Sequence, residues 1–274
     1  MVGGRRHAVR LVAALLGIGV VTAVLVADNG VRPGSLAALV GDFPELQSSV
    51  DASIGIALTP VGGRGAALEL GEWRSGPAWS TMKVPLVIAA LRDEDRPVVS
   101  DEMTVAITQS DNAAAEAIWA GLGDPPTAAG KVEAVLSETG DPTRVQFRRV
   151  RPEYSAFGQT DWSLPDQATF LAAAACDHRD AAVFALMGRI EPDQRWGLGT
   201  IAGTPFKGGW GPSPAHRYLQ RQMGVITTPA GSSAVALAAE PHSGASVDGI
   251  SALNRIAAWL RDHLVMLPRG HCPG

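Results

Sequence analysis

The run Ser80-Thr81-Met82-Lys83 sets a hydroxyl three residues ahead of an amine. Side chains at that spacing on a helix lie one above the other on the same face. A serine hydroxyl does not lose its proton unaided near neutral pH, so a nucleophilic serine needs a base beside it. Lys83 can be that base only as a neutral amine, which requires burial and a neighbouring cation; each unit of pKa lowering takes about 1.4 kcal/mol of differential interaction. At a helix N-terminus Ser80 would also meet free backbone N–H groups able to receive an oxyanion. The pair alone fits an ordinary capped helix start equally well, and the rest of the chain has to decide.

Several elements must position this pair. Ala52 to Leu58 alternates as a strand does, and a turn rich in glycine at Gly62, Gly63 and Gly65 returns the chain into Ala66 to Leu70, which predicts a hairpin. Helical patterning covers Ser80 to Arg92, Met103 to Trp119, Thr127 to Glu138 and Ser163 to Cys176. Three strands follow at Thr204 to Trp210, Tyr218 to Thr227 and Ser232 to Ala239, then a helix from about Ser246 to Leu267. Strands at both ends with helices between them predict an α+β fold. One antiparallel sheet of about five strands is completed by the N- and C-terminal segments, with a helical lobe inserted over about 93–200.

The first ten residues carry Arg5, Arg6 and Arg10, and an uninterrupted apolar run extends from Leu11 to Ala27. Residues 1–27 therefore read as a signal peptide or an N-terminal membrane anchor, and the length of the run fits both. Everything after Asp28 is expected outside the cytoplasmic membrane, with 28–50 as a linker, 51–268 as the folded domain and 269–274 as a tail. An oxidising location suits the two cysteines, Cys176 and Cys272, which are expected to pair. Such a cross-link would constrain the unfolded chain by about 4–5 kcal/mol in the entropy model. The net charge of −4 and the absence of basic runs beyond the leader argue against nucleic acid as a partner.

Two further motifs stand in order after the first. Ser110-Asp111-Asn112 lies in the alanine-rich helical stretch, and Lys207-Gly208-Gly209 lies on an expected strand between Phe206 and Trp210. With them the chain resembles the serine β-lactamase and penicillin-binding D,D-peptidase superfamily, most closely its class A β-lactamases, whose signature has a threonine in the middle of the third motif. The resemblance runs from the hairpin near Ser53 to the last helix. It implies that Ser80 is the nucleophile, Lys83 its base and Ser110 a proton relay. Asn112 would bind the Lys83 amine or the substrate amide, and Lys207 would be a cation that also meets a substrate carboxylate. Small β-lactam or peptidoglycan-derived substrates follow from it, without a cofactor.

The chain departs from that pattern at several points. Gly208 replaces the hydroxyl residue of the third motif; one hydrogen bond to a charged group is worth about 1.5–3 kcal/mol, or roughly 10- to 150-fold. Ser80 and Ser110 are about half as far apart as in class A members, which implies a shortened helical lobe with residues missing around Asp93 to Ser100. Glu153, in Arg151-Pro152-Glu153, lies where the deacylating carboxylate is expected, but Phe157 stands where an asparagine would follow. It is a candidate base or a solvated loop charge. Gly209, and Arg217 or Arg221 on the next strand, are candidate substrate contacts, and the two arginines serve equally as surface residues.

Other chemistries fit less well. Gly197-Leu198-Gly199 leads into a strand rather than a helix, unlike a nucleotide loop, and the six histidines show no metal-ligand spacing. Two readings follow: an exported serine acyl-hydrolase, or an envelope binding or scaffold protein that keeps the fold around a decayed site.

Overall fold

The computed structural model describes residues 36–63, 65–94 and 98–274. The expected leader at 1–27 lies outside the described residues, as does part of the expected deletion region. No helix among the described residues is long and apolar enough to cross a membrane.

A five-stranded antiparallel sheet forms the centre. It comprises β1 (Ala52–Pro60), β2 (Leu68–Gly71), β5 (Phe206–Pro212), β6 (Tyr218–Thr228) and β7 (Gly231–Pro241), in the order β2-β1-β7-β6-β5. The first hairpin and the last three strands thus meet along β1 and β7, paired from Ala52 with Pro241 to Pro60 with Ser233. A separate two-stranded ribbon joins β3 (Ser75–Pro77) to β4 (Asp161–Ser163).

Side chains alternate across the sheet, as strand geometry requires. Ile54, Ile56, Leu58, Val235, Leu237 and Ala239 join the core that holds Leu253, Ile256 and Leu260 of α8 (Ser246–Asp262). The small residues Ala57, Ala236 and Ala238 instead meet Leu164 and Ala168 of α6 (Leu164–Ala174). That alternation gives each helix its own face and makes β7 a central, wholly covered strand.

The helical part contains α2 (Lys83–Arg92), α3 (Asp101–Thr108), α4 (Asn112–Gly121), α5 (Pro125–Glu138) and α7 (Ala181–Met187). Arg92 at the end of α2 ties it to Glu138 of α5 and to Asp177 and Asp180 ahead of α7, at 2.7–3.2 Å. Burial pushes the Asp180 carboxyl up while the Arg92 charge opposes it.

Three expectations need correction. The supposed linker contains α1 (Leu36–Ser49), which buries Leu39, Phe43 and Leu46 and packs Phe43 edge-on against Trp259 of α8. The supposed single helix from Met103 to Trp119 is two, broken where Ser110 takes φ +59° and Asp111 accepts a hydrogen bond from Ala114 N to cap α4. The supposed tail is tethered, because Gly270 bridges to Ser232 and Cys272 forms the expected disulfide with Cys176.

Candidate active site

The three motifs converge between the sheet edge and the helices. Ser80 sits in a 3-10 turn, Trp79–Met82, that leads directly into α2, so Lys83 opens that helix. Lys83 is 1% exposed, which takes its amine out of water. Its Nζ donates to Ser110 O at 2.5 Å and Asn112 Oδ1 at 2.8 Å, and lies 3.4 Å from Ser110 Oγ. The break between α3 and α4 makes this possible: the left-handed backbone at Ser110 turns both its carbonyl and its hydroxyl toward the lysines.

Lys207 reaches the same serine from β5. Its Nζ donates to Ser110 Oγ at 2.8 Å and to Gly208 O at 3.0 Å, and the side chain is fully buried. The amine is therefore enclosed behind Ser110 and is not itself exposed. Burial lowers Lys83 to about 7, with Asp111 and Glu116 opposing the shift. Burial also holds Lys207 well below its ordinary value, and the Lys83 charge acts in the same direction. The sequence reading named burial and the Lys207 cation together; burial is the cause that lowers Lys83 here.

A neutral Lys83 amine has two N–H bonds and one lone pair. Ser110 O and Asn112 Oδ1 match the two N–H bonds, and Ser110 Oγ at 3.4 Å is the third polar neighbour of the nitrogen. No hydrogen bond joins Lys83 to the Ser80 hydroxyl among the described residues, so the candidate nucleophile and base lie three residues apart along the chain without being bonded.

Backbone donors complete the geometry. Ser80 is the second residue of its turn, where an N–H has no intrahelical acceptor. On β5, the bonds from Val225 N to Pro205 O and from Ser213 N to Arg217 O fix the ladder phase. Lys207, Gly209 and Gly211 therefore bond to β6, while the N–H groups of Gly208 and Trp210 point to the free edge. Gly209 presses on the 3-10 turn: a Cβ there would lie 2.9 Å from Ala78 O, Ser80 N and Thr81 N. Gly211 makes room for the Trp79 ring in the same way, at 2.6 Å. Trp79 takes φ +49° and is covered by Tyr154 and by the Arg151 guanidinium, which donates to Pro212 O.

The remaining candidates are not drawn into this cluster. Glu153 is exposed on its loop and has no hydrogen bond or ion pair among the described residues, so nothing holds it as a base. Arg221 is wholly buried and donates to Gly76 O, Pro77 O, Trp162 O and Gln167 Oε1, fastening β6 to the β3–β4 ribbon. Arg217 pairs with Glu240 at 2.6 Å. Arg221 is thus a structural tie, while Arg217 is held by Glu240 with its side chain partly exposed. Two tryptophans were missed: Trp196 and Trp210 lie edge to face, 5.9 Å apart, beside Gly208. The only sequence signal for them was Trp210 next to the third motif.

No protein-family model matches the chain, and neither does any curated protein. Solved structures do match in fold. A representative class A β-lactamase from Bacteroides cellulosilyticus is 12% identical with a TM-score of 0.67, over 84% of this chain and 98% of that one. The TLA-1 extended-spectrum β-lactamase is 16% identical with a TM-score of 0.66, over 85% and 100%. A β-lactamase from Streptosporangium roseum is 18% identical with a TM-score of 0.63, over 84% and 100%. The chain has the serine β-lactamase-like fold. The matched structures include class A β-lactamases.

Proposed function

We propose that the protein is an exported serine acyl-hydrolase acting on β-lactams or on peptide or ester substrates derived from the cell wall. One observation carries this reading above the others: an unbroken chain of contacts from Lys207 Nζ through Ser110 to Lys83 Nζ, with Lys83 poised near neutrality. The Cys176–Cys272 disulfide supports the exported location.

In the reaction, Ser80 Oγ forms a bond to the acyl carbon as its proton passes to the Lys83 lone pair. The developing oxyanion is received by the N–H groups of Ser80 and Trp210. The bond from carbon to the leaving group then breaks, and Ser110 protonates that group while recovering a proton from Lys83. Water releases the acyl group in a second step. Because Glu153 is solvated and unattached, that step is slow and the acyl-enzyme accumulates, as in a penicillin-binding protein.

A fluorescent penicillin tests the reading. Covalent labelling of wild type and not of Ser80→Ala supports it. Equal absence of label from two folded proteins favours the second reading, a binding module with a decayed site, to which the unbonded Ser80 hydroxyl and Gly208 lend support.

A further inference from the structure

We propose that the leaving-group side of this site is an aromatic slot, formed by Trp196 and Trp210 over Gly208, that selects a flat uncharged ring in place of a carboxylate. The inference rests on the acyl-serine reading above and deepens it by naming the substrate class.

The slot begins with the missing side chain. A Cβ at position 208 would lie 3.4 Å from Trp196 Cη2, 3.6 Å from its Cζ2 and 3.5 Å from Trp210 Cζ3. Both rings therefore stand in van der Waals contact with the position a Cβ would take, so that indoles, and not a hydroxyl side chain, line this side of the site. Trp210 also stands at the chemistry, since Lys207 Nζ lies 6.0 Å from its ring centroid and the same amine holds Ser110 Oγ. Both indoles are half-buried, and neither indole N–H has an acceptor among the described residues.

The slot is held in place. Trp196 O accepts from Gln222 Nε2 at 2.8 Å, Gly197 N donates to Asn254 Oδ1 at 2.6 Å, and Leu198 N donates to Gln222 Oε1 at 2.7 Å. These three bonds fix the Trp196 segment to β6 and α8, so the ring is positioned before any ligand arrives. Two such rings edge to face offer a third ring the offset and T-shaped contacts that aromatic groups prefer.

Most of the groups that could meet a carboxylate in this region are missing or engaged. Gly208 supplies no hydroxyl, Lys207 is enclosed, Arg217 is neutralised by Glu240 and Arg221 is spent on backbone carbonyls. Arg195, beside Trp196 in the chain, turns its Nε back to Ile190 O at 2.7 Å. Burial of both lysines further reduces the positive charge available at neutral pH.

The reaction follows the acyl transfer given above. The Ser80 Oγ to carbon bond forms, the carbon to phenolic oxygen bond breaks, and the proton from Ser80 ends on the departing phenol.

The full chain is assayed with phenyl phenylacetate and its 3-carboxyphenyl analogue, following mass added at Ser80, and binding is measured separately with phenylacetanilide and its 3-carboxy analogue. The slot predicts that the uncharged member of each pair is favoured about tenfold or more, a difference lost in Trp196→Ala and kept in Trp196→Phe. Gly208→Thr should narrow or reverse the preference. Acylation that is equal or faster with the carboxylated ester, or a preference unchanged in Trp196→Ala, overturns the slot and leaves the acyl-serine reading standing. Tryptophan-dependent preference for the uncharged anilide without acylation by either ester keeps the slot and removes that reading.

Discussion

Lys83 and Lys207 share one partner: the first donates to the carbonyl of Ser110 at 2.5 Å and the second to its hydroxyl at 2.8 Å. Two amines so enclosed cannot both hold full charge cheaply. The rate of Ser80 acylation should therefore rise with pH through about 7, where Lys83 loses its proton. Stopped-flow labelling with a penicillin across pH 5–9 checks this, and a rate that is flat over that range argues against Lys83 as the base.

The same shift affects stability, with a definite sign. The folded-state pKa of Lys83, about 7, lies below its ordinary value of 10.5, so the unfolded chain holds more protons between those limits and stability rises with pH across that window. Below about 7 the cost of a buried charged amine is fully present, on the order of 4 kcal/mol. Lys83→Met should abolish acylation yet raise the melting temperature by several degrees at pH 6, with the gain shrinking toward pH 10. Calorimetry at both pH values reads it.

Adjacent glycines should respond differently to one methyl group. At Gly209 a Cβ meets three backbone atoms at 2.9 Å, and none of these is the end of a flexible side chain. Gly209→Ala should displace the Ser80 turn and lower acylation by about 100-fold, a loss typical of a displaced oxyanion donor. At Gly208 the nearest atoms lie at 3.4–3.6 Å, so Gly208→Ala should leave acylation by small substrates within a few-fold of wild type. Parallel acylation rates and melting curves test the contrast.

Arg92 is the cation that makes the enclosed Asp180 tolerable. Arg92→Met should destabilise the fold by about 3–5 kcal/mol, because it strands a carboxylate that is 1% exposed. Asp180→Asn in the same chain should recover part of the loss. Denaturant titration of the single and double variants measures both.

The sheet was legible because β1 and β7 are largely apolar runs bounded by turns, and Gly62, Gly63 and Gly65 stand between β1 and β2. Helix α1 was not, since Gly41 and Pro44 interrupt it; its apolar residues Leu39, Phe43 and Leu46 nonetheless recur at helical spacing. The break at Ser110 was hidden because helical patterning runs up to it and Ala113, Ala114 and Ala115, which favour helix, follow closely. Tertiary contacts from two distant lysines hold that residue in a left-handed conformation that local propensity disfavours. Motif order grouped Ser80, Lys83, Ser110, Asn112 and Lys207, of which Lys83, Ser110, Asn112 and Lys207 are joined by hydrogen bonds. It could not tell whether Arg221 faces substrate or buried carbonyls, because the side-chain partners of a strand residue are set by distant segments.

The most direct test of the central claim is intact-mass measurement of the full chain after incubation with a penicillin, followed by peptide mapping. The account predicts one adduct per chain, located on Ser80, persisting for minutes to hours and absent from Ser80→Ala. No adduct on a folded, disulfide-bonded protein at pH 8, or an adduct on another residue, would contradict it.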